Sequence, residues 1–105
     1  MFVEGEVEVR LKDRAALAQD DHDLKLWLQR AFRDMSCYRI SSFRKDADKV
    51  VHAVVALKIA DLPQAERLQL EAHPQDAALL RQFIERMFVG KGSCRALGEP
   101  QLRSI

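Results

Sequence analysis

Residues 50–60, Val50-Val51-His52-Ala53-Val54-Val55-Ala56-Leu57-Lys58-Ile59-Ala60, can be read in two ways, and the fold turns on the choice. The four valines favour extended backbone, because a side chain branched at Cβ loses rotamer freedom in a helix and packs well on a pleated surface. Val51, Val54, Val55, Lys58 and Ile59 also fall at the spacing of one helical face. We read a short strand leading into a short helix over 53–60, with one long strand over 50–59 as the alternative. Leu62-Pro63 ends either element, since proline restricts the residue before it and donates no backbone hydrogen bond.

On the N-terminal side, the polar run Lys45-Asp46-Ala47-Asp48-Lys49 reads as a turn, and residues 38–44 before it as a strand rich in aromatic, β-branched and hydroxyl side chains. Leu24, Trp27, Leu28, Ala31 and Met35 recur at helical spacing, which predicts a helix over 24–35 behind the capping residues Asp20, Asp21 and Asp23. Residues 13–23 form a connector with room for a helical turn at 15–18. From Val3 to Lys12 the chain alternates: Val3, Gly5, Val7, Val9 and Leu11 point one way, and Glu4, Glu6, Glu8, Arg10 and Lys12 the other. One solvated face marks an antiparallel sheet, because a parallel sheet covered on both sides would show an almost unbroken apolar run.

On the C-terminal side, Leu68, Leu70 and Ala72 alternate with Gln69 and Glu71, which predicts the last strand. His73-Pro74-Gln75-Asp76 opens a helix, with proline in its first turn, Leu80, Phe83, Ile84 and Met87 as its buried stripe and Gly90 as its C-cap. Residues 90–105 hold three glycines, a proline and no period, and read as a mobile tail beyond a single domain at 1–89. The fold class expected is α+β: an open-faced sandwich with a four-stranded antiparallel sheet and helices packed on one face.

Composition narrows function mainly by exclusion. In 105 residues, 17 basic side chains meet 16 acidic ones for a net charge of +1, so no global field selects nucleic acid or an anionic membrane. The N-terminus has neither a basic start nor a long apolar stretch, and a cytoplasmic location is expected. Cys37 and Cys94 lack the spacing of a metal knuckle and read as reduced thiols. His52 lies in an apolar run and reads as a half-buried, hydrogen-bonded residue; His73 reads as a surface or capping residue. No nucleophile has an evident base, and neither an enzyme, a metal nor a cofactor is indicated.

The order strand, helix, strand, strand, short helix, strand, helix, with the stretch IADLPQAERLQLEAHPQDAALLRQFIERMF, resembles the histidine-containing phosphocarrier (HPr) family of the bacterial sugar phosphotransferase system over roughly residues 2 to 89. The resemblance places His22 at the phosphoryl-accepting position before the first helix, with Asp21, Asp23 and Lys25 flanking it. Where the family has arginine and proline, this chain has Leu24 and Lys25. Phosphohistidine chemistry uses free N–H groups at a helix start and an arginine to share the charge, so Asp21 and Asp23 stand against it, and Lys25 offers only a point charge. No serine stands where the family is regulated, near His52 and Ala53.

Three functions follow as expectations. The first is an HPr-like regulatory or adaptor protein that acts by protein–protein interaction without standard carrier activity, its partner a phosphotransferase component or a kinase. The second is an active phosphocarrier using His22. The third is a ferredoxin-like ligand-binding or dimerisation module, which requires 50–59 to be one strand and a helix to precede the last strand. The glutamates of the first strand, with Arg10 and Lys12, form an open sheet face that is either solvated or paired in a homodimer.

Overall fold

The computed structural model describes residues 1–12, 20–33, 37–46, 50–60 and 62–103. Along the chain stand β1 (Phe2–Leu11), α1 (Asp21–Arg30), β2 (Cys37–Lys45), β3 (Val50–Lys58), α2 (Gln64–Ala72), α3 (Ala77–Met87) and β4 (Gly92–Arg103). The strands form one antiparallel sheet in the order β2-β3-β1-β4, an α+β open-faced arrangement. Apart from α2, the succession β-α-β-β-α-β, with β3 inserted between β1 and β2, is the split β-α-β of ferredoxin-like folds.

β1 fulfils its alternation. Val3, Val7 and Val9 have no exposed surface and join Leu24 and Leu28 of α1 and Leu80, Phe83, Ile84 and Met87 of α3 in one core. Burying a side chain of that size is worth roughly 1.5–3 kcal/mol, so the core, rather than helix propensity, holds α1 and α3 to the sheet. α2 is anchored through buried Leu70, and through Glu66, which pairs with Arg33 at 3.3 Å and Arg86 at 3.9 Å.

The decisive stretch is a strand throughout. Residues 53–58 continue β3 instead of turning helical, with Val51, Ala53, Val55 and Leu57 facing the core opposite Val9, Val7, Gly5 and Val3. The run misleads because β3 is an inner strand whose outer side chains are covered as well: Ala56 is only 3 % exposed. Residues 68–72, expected to be a strand, lie in α2. Gln64–Ala72 consists only of alanine, leucine, glutamate, glutamine and arginine, all strong helix formers, and the two-residue alternation of Leu68 and Leu70 was accidental: Leu70 is buried and Leu68 exposed. The element order behind the phosphocarrier resemblance therefore changes at two places.

Most of the expected tail is also structured. Residues 92–103 form β4, which pairs with β1 from Leu11↔Gly92 to Phe2↔Arg103. Its period is broken by a bulge opposite Gly5 that holds Gly98, at φ 64°, and Pro100. Proline is admissible there because β4 is an edge strand. Gly5 leaves room for this bulge, since a Cβ on it would lie 3.0 Å from Pro100 Cβ and 3.1 Å from Ile84 Cδ1. Gly92 is required by its backbone: at φ 139°, a Cβ would lie 2.1 Å from the Arg10 carbonyl oxygen.

Smaller corrections concern the helix ends. α1 begins at Asp21, three residues early, because Asp20 is the cap, its carboxylate accepting from the Asp23 N–H at 2.9 Å. Asp76 caps α3 in the same way on the Leu79 N–H at 3.1 Å, leaving Pro74 in the preceding turn. Gly90 is not a left-handed cap; α3 ends on Phe88, and Val89 N–H donates to the Ala31 carbonyl at 2.6 Å, bringing Gly90 against Ala31. α1 also ends at Arg30, short of the predicted 35, with Ala31 as its C-cap and Phe32 in a bridge to Phe88; the possible helical turn at 15–18 and residues 34–35 lie outside the described residues. Among the described residues, no helix is long and apolar enough to cross a membrane.

Candidate interaction face

The helices leave the other face of the sheet open. Strand register places Glu4, Glu6, Glu8 and Arg10 of β1 on this face, with His52, Val54, Ala56 and Lys58 of β3 beside them. β4 adds Arg95, Leu97 and Arg103 on one side, and β2 adds Arg39 and Arg44 on the other. Arg10, Arg39, Arg44, Lys58, Arg95 and Arg103 thus face Glu4, Glu6 and Glu8, with Asp46 reaching the same face beside His52: six cations to four carboxylates, a surplus of two. A chain of net charge +1 has sorted its charge by layer.

Two carboxylates organise the cations. Glu4 receives Arg39 Nη2 at 2.7 Å and Arg103 Nε at 3.3 Å, from strands at opposite edges of the sheet. Glu8 receives Arg95 Nη2 at 3.3 Å. The carboxylates lie low, each side chain 22 % exposed, while the arginines above them are 56–67 % exposed. Exposed ion pairs contribute little to stability, typically 0–1 kcal/mol. Their structural effect is to hold three guanidinium planes in fixed positions with donors left over for a ligand.

At one end of the face, Phe2 and Tyr38 touch with ring centres 4.7 Å apart, and Lys58 Nζ lies 5.5 Å above the Tyr38 ring. At the other, His52 is 14 % exposed, with Nε2 3.5 Å from Asp46 and 3.8 Å from Glu8. Its Nδ1 is buried with no hydrogen-bond partner among the described residues. The half-buried placement of His52 was legible in the sequence; the missing partner was not.

The residues singled out around His22 lie elsewhere, at the start of α1. His22 is exposed in the first turn. The Asp23 N–H that could receive an anion is already taken by Asp20. Asp21 pairs with Lys45 at 3.3 Å, and Lys25 Nζ sits 5.5 Å over the Phe43 ring. The structure brings these residues together but turns Asp21 and Lys25 toward structural partners. Phe32 is buried, and Phe88 packs beside it and Trp27, so these aromatics belong to the core.

Two grooves run along β4, one of about 410 Å³ between Pro74 and Leu102, the other of about 340 Å³ between Arg81 and Arg95. Neither is lined by a histidine, cysteine or hydroxyl side chain. Cys37 is buried and Cys94 half-buried, and desolvation pushes both up to about 12, Glu85 adding to the effect at Cys94 and backbone hydrogen bonds involving Arg39 and Ala56 opposing it at Cys37. They are protonated and unreactive at neutral pH. Among the described residues, no three metal-binding side chains cluster. The chain matches no protein-family model, and no curated protein or solved structure is significantly similar to it.

Proposed function

We propose that this chain is an interaction domain that holds a protein partner against the open face of its sheet. The reading rests on one observation: Arg39, Arg95 and Arg103 are anchored on Glu4 and Glu8 with their outer donors exposed, whereas the start of α1 has its charges engaged locally. This keeps the adaptor role expected from the sequence and moves it from His22 to the sheet, in line with the ferredoxin-like alternative. A cytoplasmic setting fits two unpaired thiols, one buried and one half-buried.

The test places a photo-crosslinking residue at Ser93 on the open face and, separately, at Gln82 on the helix layer. Partner crosslinks in cells are expected from Ser93 alone; crosslinks only from Gln82, or from neither, refute the assignment. The phosphocarrier alternative retains a single supporting observation, an exposed His22 in the first turn of a ten-residue helix. Incubation with phosphoenolpyruvate and the general phosphotransferase enzyme tests it, and label that survives His22→Ala counts against it.

A further inference from the structure

We infer that the partner presents an extended acidic segment along β1, with carboxylates four residues apart and a basic residue midway between them. This rests on the open face being the interaction surface. Successive residues of a strand rise about 3.3 Å, so Glu4 with its two arginines and Glu8 with its one mark two guanidinium-bearing points roughly 13 Å apart along the strand. An extended peptide repeats the same spacing, and its residues i and i+4 project from the same side. Carboxylates at those two positions meet guanidiniums, which match carboxylate geometry with paired donors.

Glu6 lies midway between these points. It is exposed, flanked by Val54 and Leu97, and makes no ion pair among the described residues. A lysine or arginine at i+2 of the segment would meet it, whereas a third carboxylate would be repelled. The face therefore reads acid-base-acid at alternate positions instead of bulk negative charge.

Other occupants fit less well. A second copy would bring two cationic surpluses together; four strands of about nine residues cover on the order of 600 Å² per copy, so two faces barely reach the ~1,200 Å² of a stable interface. Single-stranded nucleic acid stacks successive bases on several open rings, and the aromatic surface described on this face is confined to one end, where Tyr38, 49 % exposed, packs beside Phe2 and Lys58. The glutamates along β1 would also face its phosphates.

The experiment titrates the ¹⁵N-labelled chain with a blocked nine-residue peptide carrying two glutamates four apart, a lysine midway and threonines elsewhere. Shifts confined to the open face are expected, weakening steeply with salt and at least tenfold in Arg39→Gln/Arg103→Gln, with less than a twofold change in Arg30→Gln, exposed at the end of α1. An isomer with adjacent glutamates should bind several-fold more weakly. Arg95→Gln, which leaves Glu4 and its two arginines intact, serves as the second variant should the double variant lose its fold. No shifts at millimolar peptide, shifts on the helix layer, tighter binding of oligouridylate, or a salt-resistant dimer in sedimentation equilibrium would each overturn the inference. Crosslinks from Ser93 without peptide binding would remove only the acidic segment and leave the interaction face standing.

Discussion

Raising the pH from 8 to 10 should destabilise this protein through its two thiols, and removing Cys37 should relieve about half of that effect, because Cys94 is lifted to about 12 as well. Its side chain is 6 % exposed on the core side of β2, and burial lifts it from an ordinary 9.0 to about 12 in spite of hydrogen bonds involving Arg39 and Ala56. The folded state therefore keeps its proton while the unfolded chain releases one. The contribution is fully present below pH 9 and is lost as pH rises toward 12. At pH 10 the unfolded thiol has gained about tenfold in population, or ~1.4 kcal/mol, whereas the folded thiol has hardly titrated. Urea unfolding under reducing conditions at both pH values, for the wild type and Cys37→Ala, measures it. The variant is less stable at pH 8 but should lose ~1.4 kcal/mol less between the two; comparing differences cancels the tyrosine and lysine titrations common to both proteins. Equal losses within ~0.3 kcal/mol would mean that the Cys37 site is open to water, and the packing described for β2 would be wrong.

Deleting residues 92–105 should abolish cooperative thermal unfolding by circular dichroism, because Val3, Val7 and Val9 lose a neighbouring strand and α3 loses the edge it covers; a truncated chain melting like the wild type would return these residues to a tail. Gly92→Ala should cost at least ~2 kcal/mol in urea unfolding, since the new Cβ meets the Arg10 carbonyl in a backbone conformation disfavoured for alanine. Glu85→Ala should cost ~1–2 kcal/mol and speed amide exchange at Ala96, whose N–H donates to the Glu85 carboxylate at 2.9 Å; unchanged exchange would mean the contact does not persist in solution.

What was legible in the sequence was what repeats locally. The alternation from Val3 to Lys12 predicted β1, its buried face and its outward glutamates, and the stripe from Leu80 to Met87 predicted α3. Two misreadings arose where pattern and propensity disagreed. In β3 the four valines outweighed a coincidental helical spacing, and in α2 the absence of any β-branched residue outweighed a two-residue alternation. Giving residue type more weight than period would have corrected both. β4 offered no such signal, because Gly98 and Pro100 serve a bulge set against Gly5 and Ile84, and Gly92 a close approach to the Arg10 carbonyl, all far away in sequence. The interaction face was half legible for the same reason: Glu4, Glu6 and Glu8 announced themselves, but the arginines that complete the array come from positions 35 to 99 residues further along and are recruited only by strand order.

That strand order also sets a timetable for synthesis. β1 is made first and lies inside the sheet, yet its two neighbours are β3 and, last of all, β4. Until residues 92–103 leave the ribosome, the nascent chain carries an unpaired strand edge next to a valine-rich apolar face, the condition that invites pairing with other chains. The bulge and the glycines of β4 therefore affect more than the final packing: whatever slows the docking of this last strand prolongs the interval in which β1 is exposed to misassembly.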